Sequence, residues 1–216
     1  MLKAERALEA KRNNDDLWAV WQRAATDYWV LLHPELARFR AGDPHSTPTI
    51  GEMRERAKLV AHAMDGIPET WRLAADSPIR NEQSARVGWL HELMGGLYGP
   101  ITDAMARLHD GDLSGVETLV RFLEADVYCD RSGYMKADVI RILTRADLDE
   151  ATLARLRTVA LAAVDGFDRR EFRSYIRLAR RVDSDALRQE LASRLGSATA
   201  RTSRHAKWML AGIDQR

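Results

Sequence analysis

Apolar residues recur every three or four positions along most of this chain. No segment alternates apolar and polar as a half-buried strand would. Leu17, Trp18, Trp21, Ala24, Ala25, Tyr28, Trp29 and Leu32 form one broad apolar stripe on a predicted helix that stops at Pro34. Turn-forming residues from Gly42 to Pro48 predict a loop. Thr49 and Glu52 then have the spacing of a capping box, in which the two side chains satisfy free N–H groups of the first turn. Ile67-Pro68 and Ser77-Pro78 mark two further helix starts. The cluster Gly95-Gly96-Leu97-Tyr98-Gly99-Pro100 predicts a break in the next helix and a candidate hinge.

All six prolines lie at or before Pro100, and the punctuation then changes. Ser114/Glu117, Asp147/Glu150 and Asp168/Glu171 have capping-box spacing, while Gly166, Gly196 and Gly212 suit helix ends. These signals predict helices near 114–126, 132–145, 148–165, 169–182, 184–195 and 198–211. Taken in pairs they repeat about every 34–36 residues, a period proper to helical solenoids. The repeat is structural and not textual, because tetratricopeptide and ankyrin patterns are absent. The predicted class is all-α: a helical N-terminal part followed by an α-solenoid-like (HEAT-like) array of about three helix pairs. The change of punctuation divides the chain into an acidic, aromatic-rich region, 1–110, and a basic helical-repeat region, 111–216; one continuous domain is the alternative.

Charge sharpens that division. Met1 to Asp130 carries 15 Lys and Arg against 21 Asp and Glu, a net of −6; Arg131 to Arg216 carries 18 against 11, a net of +7. The whole-chain value of +1 hides this asymmetry, which points to an anionic partner. Arg outnumbers Lys 28 to 5, a bias that a GC-rich genome alone also produces. With 45% apolar and 30% charged residues the chain has globular composition, and its apolar runs fall short of a membrane span. Its charged first residues have no apolar signal core, and Cys129 is the only cysteine, so a reducing cytoplasm is expected.

The predicted helix 169–182 is the most informative element. Phe172, Tyr175, Ile176, Ala179 and Val182 share one face, and Arg170, Arg173, Arg177 and Arg181 run along another as a cationic line broadened by Arg169 and Arg180. In a solenoid, Arg155, Arg157, Arg188, Arg194, Arg201, Arg204 and Lys207 would extend that line into a patch suited to carboxylates or phosphates. The plainer alternatives are a solvated face or pairing within the chain. No aromatic base-stacking platform is visible in the sequence.

A second polar concentration, from Asp126 to Lys136, lies at a helix junction. Arg131, Tyr134 and Lys136 are its candidate partner contacts, and Cys129 is most simply a buried thiol beside a cap at Asp130 or Ser132. Asp110 to Gly115 opens like a calcium loop, but its twelfth position is Arg121, where a carboxylate is required. Arg56/His62 and Arg86/His91, and Arg38 or Arg40 with His45, have a spacing that resembles the HEPN-type all-α ribonucleases. Apolar Ala57 follows Arg56 where those enzymes carry a polar residue, and roughly two such spacings arise by chance in a chain this rich in Arg. The six histidines show no zinc spacing, and no phosphate-binding glycine loop occurs. Five of the six tryptophans read as core, with Trp18 a candidate exposed anchor.

The sequence therefore predicts a non-catalytic scaffold or adaptor, without cofactor or metal, that binds an acidic protein partner through a basic helical surface. The alternative is a nucleic-acid-binding protein that uses the same Arg face, with a nuclease or repair activity whose residues are not located. No membrane association is expected, and the sequence leaves the oligomeric state open.

Overall fold

The computed structural model describes residues 47–65 and 78–215. Every regular element among them is helical: α1 (Ile50–Asp65), α2 (Pro78–His109), α3 (Val116–Ala125), α4 (Ser132–Leu143), α5 (Glu150–Asp165), α6 (Phe172–Arg181), α7 (Asp185–Arg194) and α8 (Ala200–Asp214). No helix among the described residues is long and apolar enough to cross a membrane. The aromatic stripe of 17–32, the loop of 42–46, the start at Pro68 and the Arg38, Arg40 and His45 set lie outside the described residues.

Two compact units divide the chain, one comprising 1–46 and 51–100 and the other 47–50 and 101–216. In the first unit Met53, Ala57 and Val60 fill one face of α1, and Trp89, Leu93 and Leu97 one face of α2. The expected break at Gly95-Gly96 is not there. Helix α2 continues through both glycines and through Pro100 without interruption.

In the second unit the six predicted helices occur in order. Successive helices pack as pairs, α3 on α4, α5 on α6 and α7 on α8. Alternate helices also touch: α3 meets α5 and α5 meets α7, while α4 meets α6 and α6 meets α8. A further contact joins α5 to α8. Phe122, Ile140, Leu156, Tyr175, Leu178, Leu191 and Met209 are fully buried between these helices. Each removes enough apolar surface from water to contribute about 1.5–3 kcal/mol. The face predicted for α6 is the buried one: Phe172, Tyr175, Ala179 and Val182 are all in the core.

The three capping boxes predicted after Pro100 differ from their predicted positions. Asp112, not Ser114, starts the short 3-10 turn Leu113–Gly115, accepting from the Ser114 backbone N–H at 2.9 Å and from its hydroxyl at 2.8 Å. Asp149, not Asp147, caps α5, accepting from the Thr152 N–H at 2.8 Å. Asp168 makes no cap at all, and α6 starts after Glu171 with no side-chain hydrogen bond. In the first two cases a neighbouring Asp oxygen meets the free N–H instead of the predicted one, and in the third Asp168 is taken up by Arg204 and no side chain caps the helix.

Candidate basic and aromatic surface

The arginines of α5 and α7 differ in their partners from those around α6, while Arg121 on α3, Arg141 on α4 and Arg204 on α8 each pair with a carboxylate. Those of α5 and α7 are paired. Arg155 bridges Glu117 at 2.6 Å and Glu124 at 2.7 Å on α3, and its hydrogen bonds are the main reason the Glu117 carboxyl is held below its usual range. Arg157 donates to Glu150 at 2.5 Å and to the Val182 carbonyl at 3.0 Å. Arg188 bridges Asp183 and Asp214, both at 2.8 Å. Arg194 joins Asp165 at 3.1 Å to Glu190 at 2.7 Å. The predicted extension of the cationic patch onto these four residues is thus not realised, because carboxylates on their own helices and on neighbouring helices and turns pair with them.

The arginines of α6, with Arg170 in the turn before it, behave differently. Arg170, Arg173 and Arg177 are exposed and pair with no carboxylate among the described residues. Arg181 is exposed and donates to the Ala146 carbonyl at 3.2 Å. Arg180 turns toward α8 and donates to the Gly212 carbonyl at 3.0 and 2.7 Å. On the flanking helices, Arg145 follows α4 and Lys207 lies on α8; both are exposed and likewise without an ion pair among the described residues. Arg201 is half-buried, with a buried Nε that has no hydrogen-bond partner.

The junction between α3 and α4 separates its candidates. Asp126 ends α3 in the left-handed conformation (φ 44°), and Arg131 opens α4 in the same region (φ 58°). Arg131 is exposed, 3.9 Å from Asp130, and Tyr134 is 71% exposed one turn later. Lys136 departs from the expected role as a surface contact. Its side chain is 1% exposed, and Nζ donates to Asp126 Oδ1 at 2.6 Å.

Arg169 reaches the same carboxylate at 2.7 and 3.1 Å with a side chain 2% exposed. Burial alone would raise the Asp126 carboxyl, but hydrogen bonds from Arg169 and Lys136 outweigh it and hold the group below its usual value. Burial also pushes the neighbouring Tyr175 phenol well up. A pocket of about 150 Å³ lies beside this cluster, lined by Leu123, Glu124, Asp126, Thr158, Val159, Ala162, Ala163, Arg169 and Tyr175. Cys129 is half-buried in the same loop, its N–H donating to Ser132 Oγ at 3.1 Å.

One feature escaped the sequence reading. Tyr128 and Phe167, from the loops that join α3 to α4 and α5 to α6, meet edge to face at 5.1 Å. Asp168 follows and accepts from Arg204 at 2.7 Å and lies 2.8 Å from His205 Nε2. Arg204 first and His205 second hold the Asp168 carboxyl below its usual range. The Arg204 guanidinium in turn lies over the ring of Trp208, 5.4 Å from its centroid. Tyr128, Phe167 and Trp208 are all exposed, so Trp208 is not core as expected. His205 is buried below them and stacks on Phe172 at 4.4 Å.

Among the described residues the catalytic candidates do not assemble, and the Arg86 side chain lies outside them. Arg56 donates to the Gly96 backbone carbonyl at 2.5 Å, and His62 and His91 are exposed on α1 and α2. Among the described residues no three His, Cys, Asp or Glu side chains gather as a metal-binding group. Comparison with protein-family models, with curated proteins and with solved structures gives no match.

Proposed function

We propose that α3 to α8 form an α-solenoid of three helix pairs, in a non-catalytic cytoplasmic scaffold that binds an acidic protein partner. The contacts between alternate helices support the solenoid reading, since each pair then lies against the next through both of its layers. The observation that carries the function is the sorting of arginines. The odd-numbered helices α5 and α7 carry guanidiniums already held by carboxylates, while Arg170, Arg173 and Arg177 carry charge that nothing among the described residues neutralises. Planar guanidinium forks match carboxylate oxygens, and a row of them on one helix suits an extended acidic segment.

The test is binding of a labelled polyglutamate peptide and of duplex DNA across a salt series, with Arg173→Ala/Arg177→Ala alongside. The proposal expects the peptide to bind and the variant to weaken it about tenfold, with stability changed by less than about 0.5 kcal/mol. Duplex DNA that binds more tightly than the peptide, with a steep salt slope lost in the variant, assigns the face to a phosphate backbone. Failure of both probes at low salt removes the reading.

A further inference from the structure

We infer that the exposed aromatic edge formed by Tyr128, Phe167 and Trp208 is the apolar anchor site for an acidic polypeptide partner. This inference rests on the scaffold reading above and specifies the partner: an acidic segment that also carries leucine-like or aromatic side chains.

The edge is a built surface and not three scattered residues. Tyr128 meets Phe167, Asp168 follows in sequence, and Arg204 links Asp168 to Trp208 through a hydrogen bond and a cation–π contact. These contacts, joined through the peptide link of Phe167 to Asp168, run from the α3–α4 loop, through the α5–α6 loop, to the middle of α8. The rings are held from beneath. Arg169 lies over Phe167 at 4.6 Å, and His205 sits beside Trp208 at 6.0 Å. Yet Tyr128 is 74% and Trp208 50% exposed. Exposed Tyr and Trp on a surface that also carries Arg have the composition of binding hot spots, because such rings offer large contact area at low entropic cost.

Charge fixes the sign of the partner. Arg170 and Lys207 are exposed close to these rings in sequence and have no ion pair among the described residues, Arg131 is met by Asp130 at 3.9 Å, and Asp168 is already paired with Arg204. The ring geometry decides the class. Guanidiniums lie over Phe167 and Trp208, and Tyr128 meets Phe167 edge to face at 87°, so Tyr128 and Phe167 present no parallel faces for successive bases. A nucleobase needs an open face for stacking, whereas an aliphatic or aromatic side chain packs against edges.

The experiment uses the full chain and three labelled probes: an acidic peptide with two leucines, the same peptide with serines in their place, and oligo-dT. The leucine peptide is expected to bind wild type about tenfold more tightly than the serine peptide. Tyr128→Ala/Trp208→Ala is expected to abolish that ratio while leaving serine-peptide binding unchanged, and Tyr128→Phe/Trp208→Phe to restore it. Arg173→Ala/Arg177→Ala should weaken both peptides equally. Equal binding of the two peptides by wild type overturns the anchor and leaves the basic-face reading standing. If neither peptide binds, both readings fall. Oligo-dT binding that the alanine pair abolishes assigns the edge to nucleic acid instead. Concentration-dependent self-association that the same pair abolishes assigns it to a second copy of the chain. Either result overturns the proposal.

Discussion

Arg56 Nη1 lies 2.5 Å from the carbonyl oxygen of Gly96, and Gly96 is the residue four before Pro100. Proline has no N–H, so within α2 the Gly96 carbonyl lacks its normal intrahelical donor. Arg56 supplies the missing bond from α1. Helix α2 thereby continues through a residue that ordinarily ends a helix, and an arginine that resembled part of a nuclease pair is committed to a backbone carbonyl.

Arg56→Ala should cost about 1–2 kcal/mol in the wild-type background, as the loss of one charge-assisted bond to a half-buried carbonyl. In a Pro100→Ala background the carbonyl regains an intrahelical donor, and the same substitution should cost appreciably less. Urea denaturation of the four proteins in the cycle measures the coupling. Equal costs in both backgrounds would refute the link.

Lys136 and Arg169 share one carboxylate, so its removal should matter more than removal of either cation. Asp126→Ala leaves two buried cations without their anion and should cost about 3 kcal/mol or more. Lys136→Met leaves Asp126 held by Arg169 and should cost about 1 kcal/mol. The two urea midpoints decide it, and a costlier Lys136→Met would reverse the account of the cluster.

The acid side of the stability curve follows from the same carboxylate. Its folded-state pKa is depressed below the ordinary 3.8, so its contribution is fully present above that value. The contribution is lost as pH falls through the lower, folded-state value. Glu117 and Asp168 act in the same direction. The urea midpoint should therefore hold steady near neutrality and drop below about pH 4. Asp126→Asn should be less stable than wild type at neutral pH and should converge with it in acid.

Two glycines are required by close packing. A Cβ at Gly115 would collide with the backbone carbonyl of Ala104, and one at Gly212 with the Ile176 side chain. Gly115→Ala and Gly212→Ala should each destabilise by about 1–3 kcal/mol, the backbone collision being the harder to relieve. Gly95→Ala meets nothing within 4 Å inside α2 and should stabilise by roughly 0.5–1 kcal/mol. Thermal melts of the three variants separate packing glycines from incidental ones.

The helices of the second unit were legible because periodicity and end signals depend on local sequence, and α6 shows this best. Its Phe172, Tyr175, Ala179 and Val182 face is buried as the spacing required. What was not legible depends on partners brought from far away in sequence. Arg155 meets Glu117 across 38 positions and Arg169 meets Asp126 across 43, so no local window separates a paired arginine from an unpaired one. Lys136 looked like a surface cation because its anion sits on the preceding helix cap. Trp208 looked like core because an apolar stripe on α8 includes it, although the buried face runs through Thr202, His205, Ala206, Met209 and Ile213. Pro100 gave a false stop because the compensating donor lies 44 residues earlier, on α1.

The left-handed backbone of Arg131 has a mechanical consequence. An arginine at φ 58° is strained by about 1 kcal/mol relative to glycine, so the packing around the corner before α4 holds it there. A partner that grips the guanidinium adds one more tie to that corner. Occupancy of the surface would then register in the peptide groups beside it, as slower amide exchange at Ser132 and Gly133, before any larger rearrangement of the helices.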